Sequence, residues 1–349
     1  MKPALAERTL ELCGIRSPIG EEEALAAHVH GLGGPDSERL GNSVVYGKVT
    51  GKKPAVALFG HLDTVPLQEG DFPARRENGR IHGRGASDMK GALAVMIELW
   101  RSVERNELPV ELVCVFYDRE EGPYETNGLG PLLEARKDLS RAALALCLEP
   151  TDLALQLGCC GSMHATFTFH GRSAHSARPW QGENAIHKAA GLLAELQARP
   201  PREVRFGELT FREVIGVTRI EGFTGRNVVP AKCELNLNFR FAPGKSVEEA
   251  AAELEAFAAR FGATCAVTDR APSGPPILDN PLLKRLRELT SVAVEPKQAW
   301  TDVARLSLHG IPAANFGPGE QAQAHQKGES CGEAALGKAY DLLVRFLRG

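Results

Sequence analysis

"AVALFGHLDTVP", residues 55–66, carries an apolar run straight into an imidazole and a carboxylate. Val56 to Phe59 read as a buried strand, and the run breaks at Gly60 before His61 and Asp63. Residues i and i+2 of an extended segment point the same way, so Asp63 can hydrogen-bond the imidazole or stand just behind it. Taken alone, the pair reads as a polar turn at a strand end.

Outward from this stretch, strand and helix patterns alternate. "KGALAVMIELWRSV" (90–103) has helical periodicity, while "VELVCVFY" (110–117) and "AALALCLEP" (142–150) are further apolar strand runs. Such runs, separated by helices, predict an α/β domain whose sheet is covered on both faces. The texture changes after Gly158. "MHATFTFHG" (163–171) and "KCELNLNFRF" (232–241) alternate with period two, and amphipathic helices are expected over 184–199 and 246–262. Two helices on one side of an antiparallel sheet make a small α+β domain. The cluster "APSGPP" (271–276) marks a boundary, after which the pattern returns to the first domain. The expected organisation is a discontinuous domain, 1–160 and 272–349, with 161–271 inserted into it.

At 349 residues the chain is long enough for two domains, and its net charge of -3 points to neither nucleic acid nor an anionic membrane. Glu7 and Glu11 interrupt what would be the apolar core of a signal peptide, and no window is apolar enough to span a membrane. The eight cysteines lie scattered, with Cys114 and Cys147 inside apolar runs. That usage fits free thiols in a reducing compartment, so a cytoplasmic location is expected.

Several other acidic residues sit where strands end. Asp88, in "GRGASDMKGALAV", follows a glycine-rich loop, and either it or Ser87 could simply cap the next helix. Glu120 and Glu121 follow the strand at 110–117; a solvated loop is the plain reading, but adjacent glutamates can serve as ligand and general base. Glu149 ends "ALALCLEP". His325, after "IPAANFG", would bring a second imidazole to the same edge. In open α/β sheets the ligand site lies at the carboxyl ends of the strands, where all of these groups would meet. Suppose His61 and Glu149 hold one divalent ion, Glu121 and His325 another, and Asp88 bridges them. Three carboxylates and a hydroxide then balance the charge of two ions. Mixed nitrogen and oxygen ligands suit two zinc ions, with cobalt or manganese fitting less selectively.

"GHLDTVP", "GRGASDMKGALA", "REEG", "LEP", "GRSAHSARPWQGENAIH", "NVVPAKCELNLNFRF" and "AHQKGE" occur in the order seen in the M20 metallopeptidase family, which the chain resembles from about residue 7 to its end. The resemblance implies a zinc-exopeptidase-like α/β catalytic domain carrying an α+β lid and dimerisation domain. It implies His61, Asp88, Glu121, Glu149 and His325 as metal ligands, with Asp88 bridging. Asp63 would orient His61, and Glu120 would be the general base. His175 would be an oxyanion donor lent by the partner of a homodimer. Asn227 and Arg240 match substrate-binding positions, and Thr301 and Asp302 a stretch that lines the pocket.

The residue pattern supports Arg240 independently, because Leu235, Leu237, Phe239 and Phe241 take the core face and leave Asn238 and Arg240 outward. Within the family, "NGLG" and "WTDVARLSLHGIPAANFGPG" look most like the succinyl-diaminopimelate desuccinylases, in the form found in actinobacteria. That branch implies a small-molecule substrate, N-succinyl-LL-2,6-diaminopimelate. The better-known desuccinylases carry an arginine pair where this chain has Cys159-Cys160, so a carboxylate contact must come from elsewhere, with Arg178 or Arg226 as candidates. Other amidohydrolases of the same core, such as acetylornithine deacetylase, an aminoacylase or a carboxypeptidase, are the nearest alternative. A non-catalytic metal- or peptide-binding module is the alternative from another class, and the presence of Glu120 beside a full ligand set argues against it.

Overall fold

The computed structural model describes residues 4–349, which divide into two compact units. The first runs to Gly158 and takes in Pro276–Pro296 and Thr301–Gly349; the second comprises Cys159–Pro275 and Lys297–Trp300. The second therefore gathers residues on either side of 161–271. Cys159 and Gly274 exchange backbone hydrogen bonds of 3.0 Å, and Cys160 N–H donates to the Lys297 carbonyl at 3.2 Å.

An eight-stranded mixed sheet organises the first unit. Its order is 37–40, 43–46, 111–117, 55–61, 144–147, 313–315, 155–157 and 294–296. Ala55–His61 lies between Glu111–Tyr117 and Leu144–Cys147, parallel to both. Every residue of Ala55–His61 is buried. Continuous apolar runs suit such strands, since both faces of this strand are covered. The helix Gly91–Ser102 is buried from Gly91 to Trp100, consistent with its mostly apolar sequence. Neither Ser87 nor Asp88 caps it. It starts at Gly91 with no side-chain cap, because residues 86–90 form a separate irregular turn.

The second unit is a five-stranded antiparallel sheet in the order 202–206, 209–221, 232–241, 161–170 and 264–271. Burial along Lys232–Phe241 alternates residue by residue, as a sheet with one covered face requires. Phe167, Phe169, Leu235, Leu237 and Phe239 form one core with Ala189 and Leu192 of helix Ala185–Ala198 and Leu254 of helix Val247–Arg260. Asn184 caps the first helix, and Ser246 with Glu249 forms a capping box on the second.

Candidate metal centre

Three adjacent parallel strands deliver most of the centre. His61 is the last residue of Ala55–His61, Glu120 and Glu121 follow Glu111–Tyr117, and Glu149 follows Leu144–Cys147. Their carboxyl ends share one edge of the sheet. Asp88 comes from the turn Ala86–Lys90, where its own backbone is non-helical. His325 reaches the same edge beyond strand Ala313–Asn315, with a left-handed φ of 62°. The chain closes tightly here. A Cβ on Gly317 would lie 2.3 Å from the Leu148 carbonyl oxygen and 2.4 Å from that of Glu149.

Donor atoms of His61, Asp88 and Glu149 lie within 4.8 Å of one another, as do those of Asp88, Glu121 and His325, and of His61, Glu120 and Glu121. Asp88 belongs to two of these groups. Its Oδ1 stands 3.2 Å from His61 Nε2, and its Oδ2 stands 3.5 Å from His325 Nε2. His325 Nε2 is also 2.8 Å from Glu121 Oε1. His61 Nδ1 lies 2.9 Å from the Asp63 carbonyl oxygen, so Nδ1 carries the proton and donates. Nε2 then presents a lone pair to a carboxylate, an arrangement that needs a proton or a cation between them.

Of the two arrangements open to Asp63, its carboxylate takes the one just behind the imidazole. Its carbonyl, rather than its carboxylate, makes the short contact with His61; Oδ1 is 3.6 Å from Nδ1. The carboxylate instead accepts the backbone N–H groups of Glu120 and Glu121, both at 2.9 Å. It therefore fixes the loop that carries those two side chains.

Electrostatics favour a cation. Burial, then repulsion from Glu149, holds the Glu120 carboxyl well above its ordinary pKa, and burial raises Glu121 as well. Burial opposes charge on His61, yet Asp88, Asp63, Glu120 and Glu149 together raise its pKa well above the usual value. Hydrogen bonds to Asp88 and Glu121 push His325 up to about 10. Carboxylates crowded around two imidazoles, His61 buried and His325 exposed, are the environment that divalent ions relieve.

The remaining expected residues lie apart from this cluster in sequence. Thr301 is buried in the first unit beside Asp302, whose carboxylate accepts from Asn127 Nδ2 at 2.8 Å and Arg305 Nε at 2.9 Å. In the second unit, His175 is exposed and pairs with Val228 in a two-stranded ladder. The Asn227 carbonyl accepts from Ser176 N–H, and Arg178 N–H donates to the His175 carbonyl. His175 Nδ1 accepts from Ala177 N–H at 3.0 Å, which puts the ring proton on Nε2. Arg240 is half-buried, with Nε donating to Asn238 Oδ1 at 3.0 Å.

The model of Peptidase family M20/M25/M40 matches residues 57–349. The chain belongs to this family. A succinyl-diaminopimelate desuccinylase of Corynebacterium glutamicum is 34% identical to this M20 chain, over 97% of it and 95% of the relative. A Mycobacterium tuberculosis protein bearing a provisional form of the same name is 37% identical, over 94% of this chain and 91% of its own. Among solved structures, an M20 family metallo-carboxypeptidase from Sulfolobus solfataricus superposes with a TM-score of 0.77 at 17% identity, covering 99% and 98% of the two chains. A dinuclear metal-binding M20 peptidase from Bacillus subtilis gives a TM-score of 0.67 at 17% identity, covering 98% of each chain. These two structural likenesses establish the fold.

The donor set of this M20 chain fits metal ions. Carboxylate oxygens and imidazole nitrogens converge in two groups joined by Asp88. Sequence reasoning passed over one buried carboxylate that bears on them. Glu329, 1% exposed, accepts the backbone N–H groups of Gly85, Ser87 and Asp88. Its signal was faint, a single acidic residue four positions beyond His325.

Proposed function

We propose that this M20 chain hydrolyses N-succinyl-LL-2,6-diaminopimelate to LL-2,6-diaminopimelate and succinate, using two zinc ions. The observation that carries this reading is near full-length similarity to desuccinylases in a chain whose donor groups form two sets sharing Asp88. His61 and Glu149 would hold one ion, Glu121 and His325 the other, with Asp88 between them. Both ions, when bound, supply Lewis acidity for the amide carbonyl and acidify water.

The protein's own groups do the rest. Glu120 takes the proton from the attacking water and passes it to the leaving amine nitrogen as the C–N bond breaks. Its half-buried setting, with pKa raised by desolvation and by Glu149, supports a group able to hold that proton in transit. Asp63 keeps Glu120 and Glu121 in place through their backbone N–H groups. Arg240, with Arg178 and Asn227, would recognise substrate carboxylate, for which a guanidinium fork is suited. Thr301 would line the pocket.

The inserted segment, 161–271, would act as lid and dimerisation domain on a catalytic domain of 1–160 and 272–349. His175 would serve the partner subunit's centre in a homodimer. Its Nε2 proton supports this role, because an oxyanion needs a donor. Exposed apolar side chains on the same unit, Phe223 at 86% and Trp180 at 75%, support a second copy covering it. The eight free cysteines, all buried except the half-buried Cys265, support a cytoplasmic location.

The test is a substrate panel on protein stripped by a chelator and reloaded with two equivalents of zinc. Succinyl-diaminopimelate should be the preferred substrate over acetylornithine, with activity lost on chelation and regained on reloading. Preference for acetylornithine would reassign the acyl group, and full activity without metal would end the reading.

A further inference from the structure

The two imidazole-bearing segments share a construction. His61 is followed two residues later by Asp63, whose two carboxylate oxygens accept the N–H groups of Glu120 and Glu121. His325 is followed four residues later by Glu329, whose carboxylate grips the loop that carries Asp88. Glu329 Oε1 accepts from Ser87 N–H and Asp88 N–H, both at 2.9 Å. Its Oε2 accepts from Gly85 N–H at 3.0 Å and Arg84 Nη1 at 3.1 Å. The Glu329 carbonyl also accepts Gly83 N–H at 3.0 Å.

Arg84 is anchored in turn. Its Nε donates to Asp71 Oδ2 at 3.0 Å, and its Nη2 is 2.8 Å from the same oxygen. All three side chains are buried, with Arg84 at 3% exposed and Asp71 at 2%. Three backbone donors and a guanidinium converging on one carboxylate hold it in a single orientation.

This arrangement does more than stabilise a loop. Asp88 and the following Met89 both have non-helical backbone angles within the turn Ala86–Lys90. Without Glu329, the N–H groups of Ser87 and Asp88 would lose their carboxylate acceptor in a buried site, and the turn could relax toward helix. Relaxation would swing the Asp88 carboxylate away from the position between His61 Nε2 and His325 Nε2. We propose that Glu329 is a positioning residue that fixes Asp88 and the His325 segment in mutual register, so that one carboxylate serves both cations. The proposal rests on the two-ion reading given above. It predicts that losing Glu329 weakens both ions together, whereas losing a terminal ligand weakens mainly one.

The experiment compares wild type with Glu329→Gln and Arg84→Lys. In the first variant the side-chain amide presents one acceptor and one donor where two acceptors are needed. Lysine in place of Arg84 keeps the charge but not the fork that orients Glu329. Zinc affinity is measured by competition with a chromophoric chelator, and site geometry by the visible absorption of the cobalt-loaded protein. Glu329→Gln should weaken both equivalents of zinc by about 10–100-fold and alter the cobalt spectrum. Arg84→Lys should shift both in the same direction by a smaller factor.

Turnover in Glu329→Gln should fall with little change in KM at saturating zinc. Wild-type affinity and spectrum in Glu329→Gln, even with a lowered melting temperature, would reduce Glu329 to a structural residue and overturn the proposal. Should that variant not fold, unchanged zinc affinity and spectrum in Arg84→Lys overturn it equally. If wild type binds one equivalent of zinc only, the two-ion reading fails instead, and the two failures are thereby distinguished.

Discussion

Glu120 and Glu121 are neighbours with the same side chain, and only their surroundings separate their tasks. Glu121 faces His325 at 2.8 Å, whereas Glu120 has burial and the charge of Glu149 as the chief influences on its carboxyl. Glu120→Ala should therefore keep both metals and substrate affinity while turnover falls by about 10²-fold or more; metal analysis and steady-state kinetics together check this. A second expectation concerns pH. The carboxylates around His61 and His325 raise both imidazoles' pKa values, that of His325 to about 10, so protons compete with cations for the same nitrogens well above neutrality. Zinc affinity should rise steadily with pH from 6 to about 9, and zinc uptake at neutral pH should release protons. Calorimetry in buffers of different ionisation enthalpy would detect the release, and its absence would mean the imidazoles are already neutral.

At the scale of elements, strand ends and loops meet because particular contacts bring them together. The segment 316–319 passes so close to residues 148–149 that Gly317 leaves no room for a side chain. Gly317→Ala should destabilise the fold by about 2 kcal/mol or more, since backbone rather than a flexible side chain must yield. The same shift should weaken zinc at Glu149, and thermal melts with and without zinc would separate the two effects. Away from the centre, Arg136 forks onto Asp138, Nε to Oδ1 at 2.8 Å and Nη2 to Oδ2 at 2.9 Å, while Val49 N–H adds a third donor at 2.9 Å. Burial alone would raise the Asp138 pKa, but these partners hold it below the ordinary carboxylate value. A depressed native pKa stabilises above the unfolded value and loses that contribution as pH falls through the native one. Asp138→Ala should cost about 1–3 kcal/mol at pH 7, with the difference from wild type shrinking toward pH 3. Urea melts across that range would show it, and a constant difference would contradict the linkage.

For the whole molecule, the sharpest test is complementation between subunits. On the proposed homodimer, His175→Ala and Glu120→Ala proteins, each inactive, should together recover roughly a quarter of wild-type activity after random exchange, because half the dimers would carry one intact centre. No recovery despite exchange seen by mass would place His175 in its own chain's chemistry or outside it. Much of this molecule is legible in one dimension. The parallel strands at 55–61, 111–117 and 144–147, the alternation along 232–241 and the helices facing it follow from local periodicity. Each carboxylate or imidazole at a strand end could be picked out from the sequence, because a charge closing an apolar run is a local signal. Periodicity could not assign the Asp63 carboxylate to the N–H groups of Glu120 and Glu121, fifty-seven and fifty-eight residues away. Nor could it reveal Glu329, which grips the Asp88 backbone across 241 residues, or deny Ser87 and Asp88 the helix cap their residue types suggest. Hydrogen bonds between distant segments leave no periodic trace. They exist only once the sheet has brought its strand ends to one edge, where a buried N–H must find an acceptor, and that pairing is what tertiary structure decided.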